Sequence, residues 1–189
     1  MPGNQREGMK AGIVVMFELK GALRERLRAL HTEFDPRMAS ELPPHITITG
    51  SSGMGPITPQ TTDEELSRAL GPVALETPPF TVRLDPPMQF MQSTVVVMPI
   101  DPHGPIRTLH ERIKQAGLEY EPPRFTFTPH LTLSFYPELT RQRLRELLRF
   151  RVPEPLLIDA IQAYRAVDIV RTTRVLDLPL GRIPTTVPS

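Results

Sequence analysis

Two short motifs bring together side chains suited to acid–base chemistry. The segments 44–48 (PHITI) and 129–133 (PHLTL) share the pattern Pro-His-aliphatic-Thr-aliphatic. Side chains two residues apart on a strand point to the same face, so each motif would present an imidazole beside a hydroxyl. Two imidazoles can serve as acid and base near neutral pH, and hydroxyls can bond phosphoryl oxygens. The motifs predict transfer at phosphorus without a metal or other cofactor.

The motifs occur at matching places in an internal repeat. Three segments predict buried strands, 12–19, 94–100 and 174–180, and their starts lie 82 and 80 residues apart. Leucine and isoleucine at helical spacing predict helices over 21–34 and 105–118. The motif strands follow at 43–50 and 127–135. A further helix and strand complete each copy, at 61–70 with 79–85 and at 139–150 with 155–167.

This order predicts an α+β fold built from a duplicated β-α-β-α-β-β repeat. We expect a bilobal protein, with two antiparallel-type sheets facing a central cleft and the helices outside. The predicted domain is 11–180, with lobes of roughly 11–93 and 94–180 and scope for strand exchange between them. Residues 1–10 and 181–189 are predicted to be tails. A two-fold relation between the lobes would aim both motifs at one ligand.

The composition excludes several kinds of chemistry. The 189 residues contain no cysteine, which rules out disulfides, thiolate zinc sites and cysteine nucleophiles. The first ten residues lack the apolar core of a signal peptide, and no apolar run is long enough to cross a bilayer. We expect a cytoplasmic monomer that does not contact membranes. The formal net charge of +1 favours a small phosphate-end substrate over a long RNA partner.

The paired motifs PHITIT and PHLTLS resemble those of the two-histidine (2H) phosphoesterases, especially the bacterial RNA 2′,3′-cyclic phosphodiesterases, also called 2′-5′ RNA ligases. The resemblance spans roughly residues 10–180. It implies metal-independent action on cyclic phosphates or 2′-5′ linkages, with His45 and His130 as catalytic residues and Thr47 and Thr132 holding the phosphate. Many relatives place a phosphate-binding arginine after the second motif, where this chain has Phe135.

Five other residues are candidates for substrate contacts. Aromatic side chains beyond the second motif could stack on a base, and arginines near it could replace the missing one. Each could equally be a core or solvated residue. The candidates are Arg124, Phe135, Tyr136, Tyr164 and Arg165.

The remaining polar features have structural interpretations. His31 and His110 are predicted to be surface or boundary residues of their helices, and His103 a turn residue. The glycine- and proline-rich segment 51–60 is expected to be a connector. Neither the acid nor the base can be assigned to one histidine from the motifs, because the two are nearly symmetric.

The predicted activity is hydrolysis of 2′,3′-cyclic phosphate ends of RNA or nucleotides, with reversible 2′-5′ RNA ligation as a related reaction. The expected partner is an RNA 3′-end or a nucleotide that carries a cyclic phosphate. Two alternatives stay open on the residues alone. One is a non-catalytic RNA- or nucleotide-binding module, suggested by Phe135. The other is the same chemistry on a small cyclic phosphate such as an ADP-ribose derivative.

Overall fold

The structure, a computed structural model, describes residues 11–50, 52–90, 93–135, 139–166 and 172–181. Within these ranges the helices are α1 (Gly21–Phe34), α2 (Pro36–Glu41), α3 (Asp63–Glu76), α4 (Pro105–Lys114) and α5 (Arg141–Leu147). The strands of the first half are β1 (Gly12–Glu18), β2 (His45–Thr49), β3 (Phe80–Val82) and β4 (Met88–Gln89). Those of the second half are β5 (Val96–Pro99), β6 (His130–Ser134), β7 (Leu156–Ile158), β8 (Ala160–Ala166) and β9 (Thr172–Pro179).

Local sequence explains where the helices begin and end. Helix α3 starts with a capping box, in which the Thr62 hydroxyl accepts from the Glu65 amide and the Glu65 carboxylate accepts from the Thr62 amide. Helix α4 has proline at its first position and is followed by Gly117, whose φ of +81° favours glycine. Both halves contain the predicted order β-α-β-α-β-β, with α2 as an addition to the first half and β9 as an addition to the second.

Seven of the strands form one antiparallel sheet in the order β4-β5-β6-β2-β1-β8-β9, and β3 pairs with β7 in a separate two-stranded sheet. The α+β class and the antiparallel strands are confirmed. The strands are divided differently from the expectation, because the two motif strands β2 and β6 pair with each other and join both copies in one sheet. Their pairing is short, with Ile46 opposite Leu131 as its register.

The sheet has one face covered by helices and one that carries the motif side chains. Alternate residues of β1, such as Val15 and Phe17, belong to the main core together with leucines and isoleucines of α1, α3 and α4. The residues between them, Val14 and Met16, pack with Tyr164 in a smaller cluster on the opposite face. Ile46 and Leu131 also lie in the main core, so the motif histidines and threonines point to the other face.

Two strand predictions need correction. The segment 174–180 forms most of β9, but β9 is an edge strand with mostly exposed or half-buried residues. Its aliphatic residues suggested burial, whereas only β8 covers one of its edges. The long strand predicted over 155–167 is divided into β7 and β8 at Asp159, whose carboxylate accepts from Lys20 and whose carbonyl accepts from the Leu180 amide.

The described part of the 51–60 segment is a fixed connector. The Gly53 amide donates to the Phe125 carbonyl at 2.8 Å, and Ile57 exchanges backbone hydrogen bonds with Ile13. Gly53 has a φ of +75°, and a Cβ there would lie 2.4 Å from His110 Nε2. Among the described residues, no helix combines the length and apolar character needed to cross a membrane.

Candidate active site

The two histidine–threonine pairs meet at the middle of the sheet. With Ile46 opposite Leu131 in an antiparallel pair, His45 stands level with Thr132, and Thr47 stands level with His130. All four side chains lie on the face away from the helices and are partly exposed. The arrangement has a local two-fold axis between the strands. The structure therefore brings together the four residues that the motifs singled out.

Both imidazoles are held in the same way. His45 Nδ1 lies 2.7 Å from the Pro43 carbonyl oxygen, and His130 Nδ1 lies 2.7 Å from the Thr128 carbonyl oxygen. A carbonyl oxygen only accepts hydrogen bonds, so each Nδ1 carries a proton and donates it. This leaves Nε2 of each ring as the nitrogen that can accept or deliver a proton.

Burial sets the resting charge of the pair. It lowers the pKa of both His45 and His130, in each case as the largest effect, and the carbonyl contact opposes it. The charges of His31 and His130 lower the pKa of His45 further, while Glu18 raises it. Both rings are therefore neutral near pH 7 in the free protein, and a bound phosphate anion would favour protonation of one of them.

The two-fold symmetry breaks down in the neighbouring strands. On β1, Glu18 is the register partner of His45 and is 9% exposed. Its carboxylate accepts a hydrogen bond from the Tyr164 hydroxyl and forms an ion pair with Arg174 at 3.2 Å. Its amide donates to the Gln162 side chain at 2.9 Å. The His45 side of the site is therefore polar and contains a buried carboxylate.

The His130 side is apolar. The register partner of His130 on β5 is Pro99, which stands where β1 has Glu18. The Phe90 ring, just after β4, contacts the His130 ring edge-on with 4.9 Å between the ring centroids. The Phe90 amide donates to the Val95 carbonyl, which attaches this aromatic residue to the chain just before β5. The two histidines thus have equivalent positions but different electrostatic surroundings.

The prediction that His31 and His110 are surface or boundary residues of their helices is wrong. Both are 1% exposed. His31 Nε2 lies 3.1 Å from the Thr132 carbonyl oxygen, and His110 Nδ1 lies 2.8 Å from the Ile48 carbonyl oxygen. Each helix histidine therefore bonds to the motif strand of the other copy, beyond the short β2–β6 pairing. Burial lowers the pKa of both rings.

A buried carboxylate secures the end of β6. Asp35 is 2% exposed and accepts from the Met38 amide at 3.0 Å as the cap of α2. It also accepts from the Ser134 hydroxyl at 3.1 Å and from the Phe135 amide at 2.7 Å. The junction between α1 and α2 is in this way attached to the strand that carries His130.

The other predicted contact residues are placed less uniformly. Tyr164 lies on the motif face and bonds to Glu18, and burial raises its pKa. Arg165 has the next position on β8, and its guanidinium donates to the Pro59 and Thr61 carbonyls and to Asp63 at 2.7–2.8 Å. Arg165 therefore secures a loop and is not brought to the histidines.

The last three candidates follow the second motif or precede it. Arg124 is exposed, and Phe135 is 50% exposed at the end of β6. Tyr136 lies outside the described residues. His103 is a turn residue, as predicted, and its amide donates to the Asp101 carboxylate. Within the described ranges, no group of three or more His, Cys, Asp or Glu is arranged to hold a metal ion.

Sequence reasoning missed Glu18, Phe90 and Asp35, and misplaced the two helix histidines. A charged residue at the end of the apolar strand GIVVMFE was one available signal. The repeat contained another, because Leu30-His31 and Leu109-His110 occur in corresponding helices. Phe90 and Asp35 have no comparable pattern, since their roles arise from contacts far along the chain.

Comparisons with known proteins agree with the fold. The fold matches E. coli LigT in complex with phosphate, with a TM-score of 0.56, 18% identity, and coverage of 92% of this chain and 99% of that one. It also matches E. coli LigT in complex with 3′-AMP, with a TM-score of 0.55, 18% identity and the same coverage. The protein TT0787 of Thermus thermophilus matches with a TM-score of 0.51, 15% identity, and coverage of 89% and 97%.

No curated protein sequence matches the chain. The model of the 2′-5′ RNA ligase superfamily matches residues 19–168, which include both motifs and most of the described structure. This match and the LigT fold show that the chain belongs to the 2′-5′ RNA ligase superfamily, the two-histidine phosphoesterases.

Proposed function

We propose that this phosphoesterase hydrolyses 2′,3′-cyclic phosphate ends of RNA or nucleotides without a metal. The observation that carries the proposal is the matched pair of imidazoles, each with Nδ1 on a carbonyl oxygen at 2.7 Å and Nε2 left for proton transfer. The related LigT of E. coli has been solved with phosphate and with 3′-AMP, which supports a nucleotide phosphate as the ligand.

The reaction needs one base and one acid. The base accepts a proton from water as the water oxygen bonds to phosphorus, and the acid delivers a proton to the ribose oxygen as its bond to phosphorus breaks. The Thr47 and Thr132 hydroxyls would donate hydrogen bonds to the non-bridging oxygens, where negative charge accumulates. In ligation a 5′-hydroxyl takes the place of water, and the reverse reaction returns the cyclic phosphate and the 5′-hydroxyl.

The surroundings favour different roles for the two rings. Glu18 acts on His45 less strongly than burial and the other two histidines do, but it is a carboxylate that His130 lacks. We therefore assign His45 as the ring that takes up a proton when a phosphate anion binds, and so as the acid. His130 lies against Phe90 and Pro99, where the neutral form is favoured, so we assign His130 as the base. The ribose oxygen that lies next to His45 in the bound substrate is then the one that leaves.

The test is hydrolysis of 2′,3′-cyclic nucleotides in the presence of EDTA. Wild type should be active, and His45→Ala and His130→Ala should each lose about 10²-fold or more in kcat. Thr47→Val, which keeps the shape of the side chain, should lose less. Full activity in either histidine variant would overturn the proposal. Tight nucleotide binding without turnover in wild type would instead favour the non-catalytic module. A panel that adds cyclic-phosphate derivatives of ADP-ribose and 2′-5′ oligonucleotides ranks the substrates.

The cytoplasmic setting and the monomeric state stay predictions from the sequence. The division into lobes at roughly 11–93 and 94–180 is likewise a proposal about the chain's organisation.

A further inference from the structure

A groove beside α1 contains two buried polar atoms with unused hydrogen-bonding capacity. The groove has a volume of ≈ 310 Å³ and lies between α1 and residues 39–44, with Arg24, Arg28 and His31 on the helix side. We call it the α1 groove. Among the residues that the structure describes, none bonds to Arg24 Nε or to His31 Nδ1, although both atoms are buried. Buried polar atoms cost free energy unless they are bonded, so both are suited to a ligand.

The hydrogen-bond partners of His31 define what the groove can accept. Nε2 of His31 contacts the Thr132 carbonyl oxygen, so Nε2 carries the proton. Burial lowers the pKa of His31 and keeps the ring neutral, which leaves Nδ1 as a hydrogen-bond acceptor. Arg24 Nε is a charged donor. The groove therefore needs a ligand that contains both an anionic acceptor and a hydroxyl donor.

The charge of the groove is positive. Arg24 and Arg28 are one helical turn apart on the same side of α1. Among the residues that line the groove, Glu41 is the acidic one, and its carboxylate is bonded to Arg37 at 3.1 Å. Arg28 also lies 3.8 Å from Glu25, but both of these side chains are well exposed, and exposed ion pairs are weak. A guanidinium pair of this kind suits a phosphate. A phosphate next to a sugar hydroxyl is the combination that a ribonucleotide provides.

The groove is next to the candidate active site along the chain. Pro43 and Pro44 line the groove and lead directly into β2. The Pro43 carbonyl is also the oxygen that holds His45 Nδ1. His31, which lines the groove, also acts electrostatically on His45, so the groove and the histidine–threonine site are near each other in space as well as along the chain. We expect a nucleic acid whose cyclic end occupies that site to place an upstream nucleotide at the groove.

We propose that the α1 groove binds a ribonucleotide upstream of the cyclic phosphate, with its phosphate on Arg24 and Arg28 and a sugar hydroxyl donating to His31 Nδ1. The proposal rests on the proposed function and deepens it, because it assigns the upstream nucleotide of an RNA substrate to a particular groove and to three named side chains.

Steady-state kinetics on three substrates test this inference. The substrates are 2′,3′-cyclic AMP, a ribotrinucleotide that ends in a 2′,3′-cyclic phosphate, and the same trinucleotide with 2′-deoxyribose at its two upstream positions. The variants are Arg24→Gln/Arg28→Gln and the control Arg26→Gln. Arg26 is on the same helix, but its guanidinium donates to the Arg151 carbonyl on the side towards α5. The control thus removes a charge from α1 without altering the groove.

The expected pattern is specific to the trinucleotide. In the double variant, KM for the ribotrinucleotide should rise roughly tenfold, and the salt dependence of this KM should weaken. The kcat/KM for 2′,3′-cyclic AMP should change less than about twofold. Arg26→Gln should resemble wild type. The deoxy trinucleotide should be a several-fold poorer substrate for wild type, because it lacks the hydroxyl for His31.

Three results would overturn the inference. The first is an equal kcat/KM for 2′,3′-cyclic AMP and the ribotrinucleotide in wild type. The second is an unchanged KM for the ribotrinucleotide in the double variant. The third is an equal loss of kcat/KM on both substrates in the double variant, which indicates a structural defect. If wild type hydrolyses neither substrate, the proposed function fails separately. Binding of a 3′-phosphorylated ribotrinucleotide to wild type and to the double variant, measured by calorimetry, then still decides whether the groove binds RNA.

Discussion

Replacing Glu18 with glutamine should lower the pKa of His45 and leave that of His130 nearly unchanged. Glu18 is the register partner of His45 on the neighbouring strand and faces the same side of the sheet. Glutamine keeps the size of the side chain and can still accept from the Tyr164 hydroxyl. The substitution therefore removes one negative charge next to the His45 ring while the nearby Arg174 keeps its positive charge.

The size of the effect follows from Coulomb's law. The Cβ atoms of directly opposite residues are about 5 Å apart, so we take about 6 Å as the separation of the two charged groups. At this distance a unit charge contributes about 0.7 kcal/mol at the dielectric constant of water, and about 2.8 kcal/mol at an effective dielectric constant of about 20. The His45 side chain is partly exposed, so we expect the loss of this charge to disfavour the protonated ring by an intermediate amount, about 1.4 kcal/mol.

Nitrogen-15 NMR titration of the imidazoles measures this change directly, with the His45→Ala spectrum as the assignment. Asp177→Asn is the matched control, because Asp177 bonds to Gln162 and Arg174 in the same cluster but is not among the charges that act on His45. The control should move the pKa of His45 by less than about 0.3 unit. Because His45 is assigned as the acid, the alkaline limb of the pH profile of kcat/KM should move to lower pH in Glu18→Gln, together with the pKa of His45. An unchanged or raised pKa of His45 in Glu18→Gln, or an equal change at His130, would refute the reasoning.

Three further predictions concern the surroundings of the site. Phe90→Ala should expose His130 to water and raise its pKa towards the ordinary value, without moving that of His45, in the same NMR titration. Gly53→Ala should lower the free energy of unfolding in urea by about 2–3 kcal/mol, because its φ is positive and the new Cβ meets His110, whereas Gly71→Ala in α3 has open space and should gain about 0.5–1 kcal/mol. Equal effects of the two alanines would contradict this. The free energy of unfolding should fall as the pH drops below about 6.5, by at most about 1.4 kcal/mol per pH unit for each of the four buried or partly buried histidines with a lowered pKa, because the unfolded chain then binds more protons. A stability that is flat between about pH 7 and pH 5 would be inconsistent with those shifts.

The motif strands could be predicted because their chemistry is local. Proline before histidine, threonine two residues later and aliphatic residues between them define one strand with one polar face, and the repeat shows the pattern twice. Helix α1 was predicted with its observed bounds for a similar reason, since leucine spacing within one segment determines its buried side.

The features that the sequence did not reveal depend on distant contacts. Glu18 affects the site because β1 lies between β2, which carries His45, and β8. The Glu18 amide bonds to Gln162 on β8, which is 144 positions away in the sequence. The exposure of β9 depends on its place at the sheet edge, which its own residues do not specify.

The helix histidines are an intermediate case. His31 falls among Leu27, Leu30 and Phe34 on the apolar side of α1, and His110 falls among the buried residues of α4. The spacing indicates the buried side, but a histidine there is stable only if a hydrogen-bond partner exists. The partners are the carbonyls of β6 and β2, which only the folded sheet identifies.

The order of strands has a consequence for how such a chain can arise. Strand β1 of the first copy is covered by β8 of the second, and β5 of the second copy is covered by β4 of the first. Either copy alone would leave its own edge, that of β1 or that of β5, open to self-association. Two identical copies could cover each other's edges reciprocally, as in a domain-swapped homodimer. The strand pairing of the present protein is that of such a dimer with both copies in one chain, and within one chain the two positions facing the histidines can differ, as Glu18 and Pro99 do.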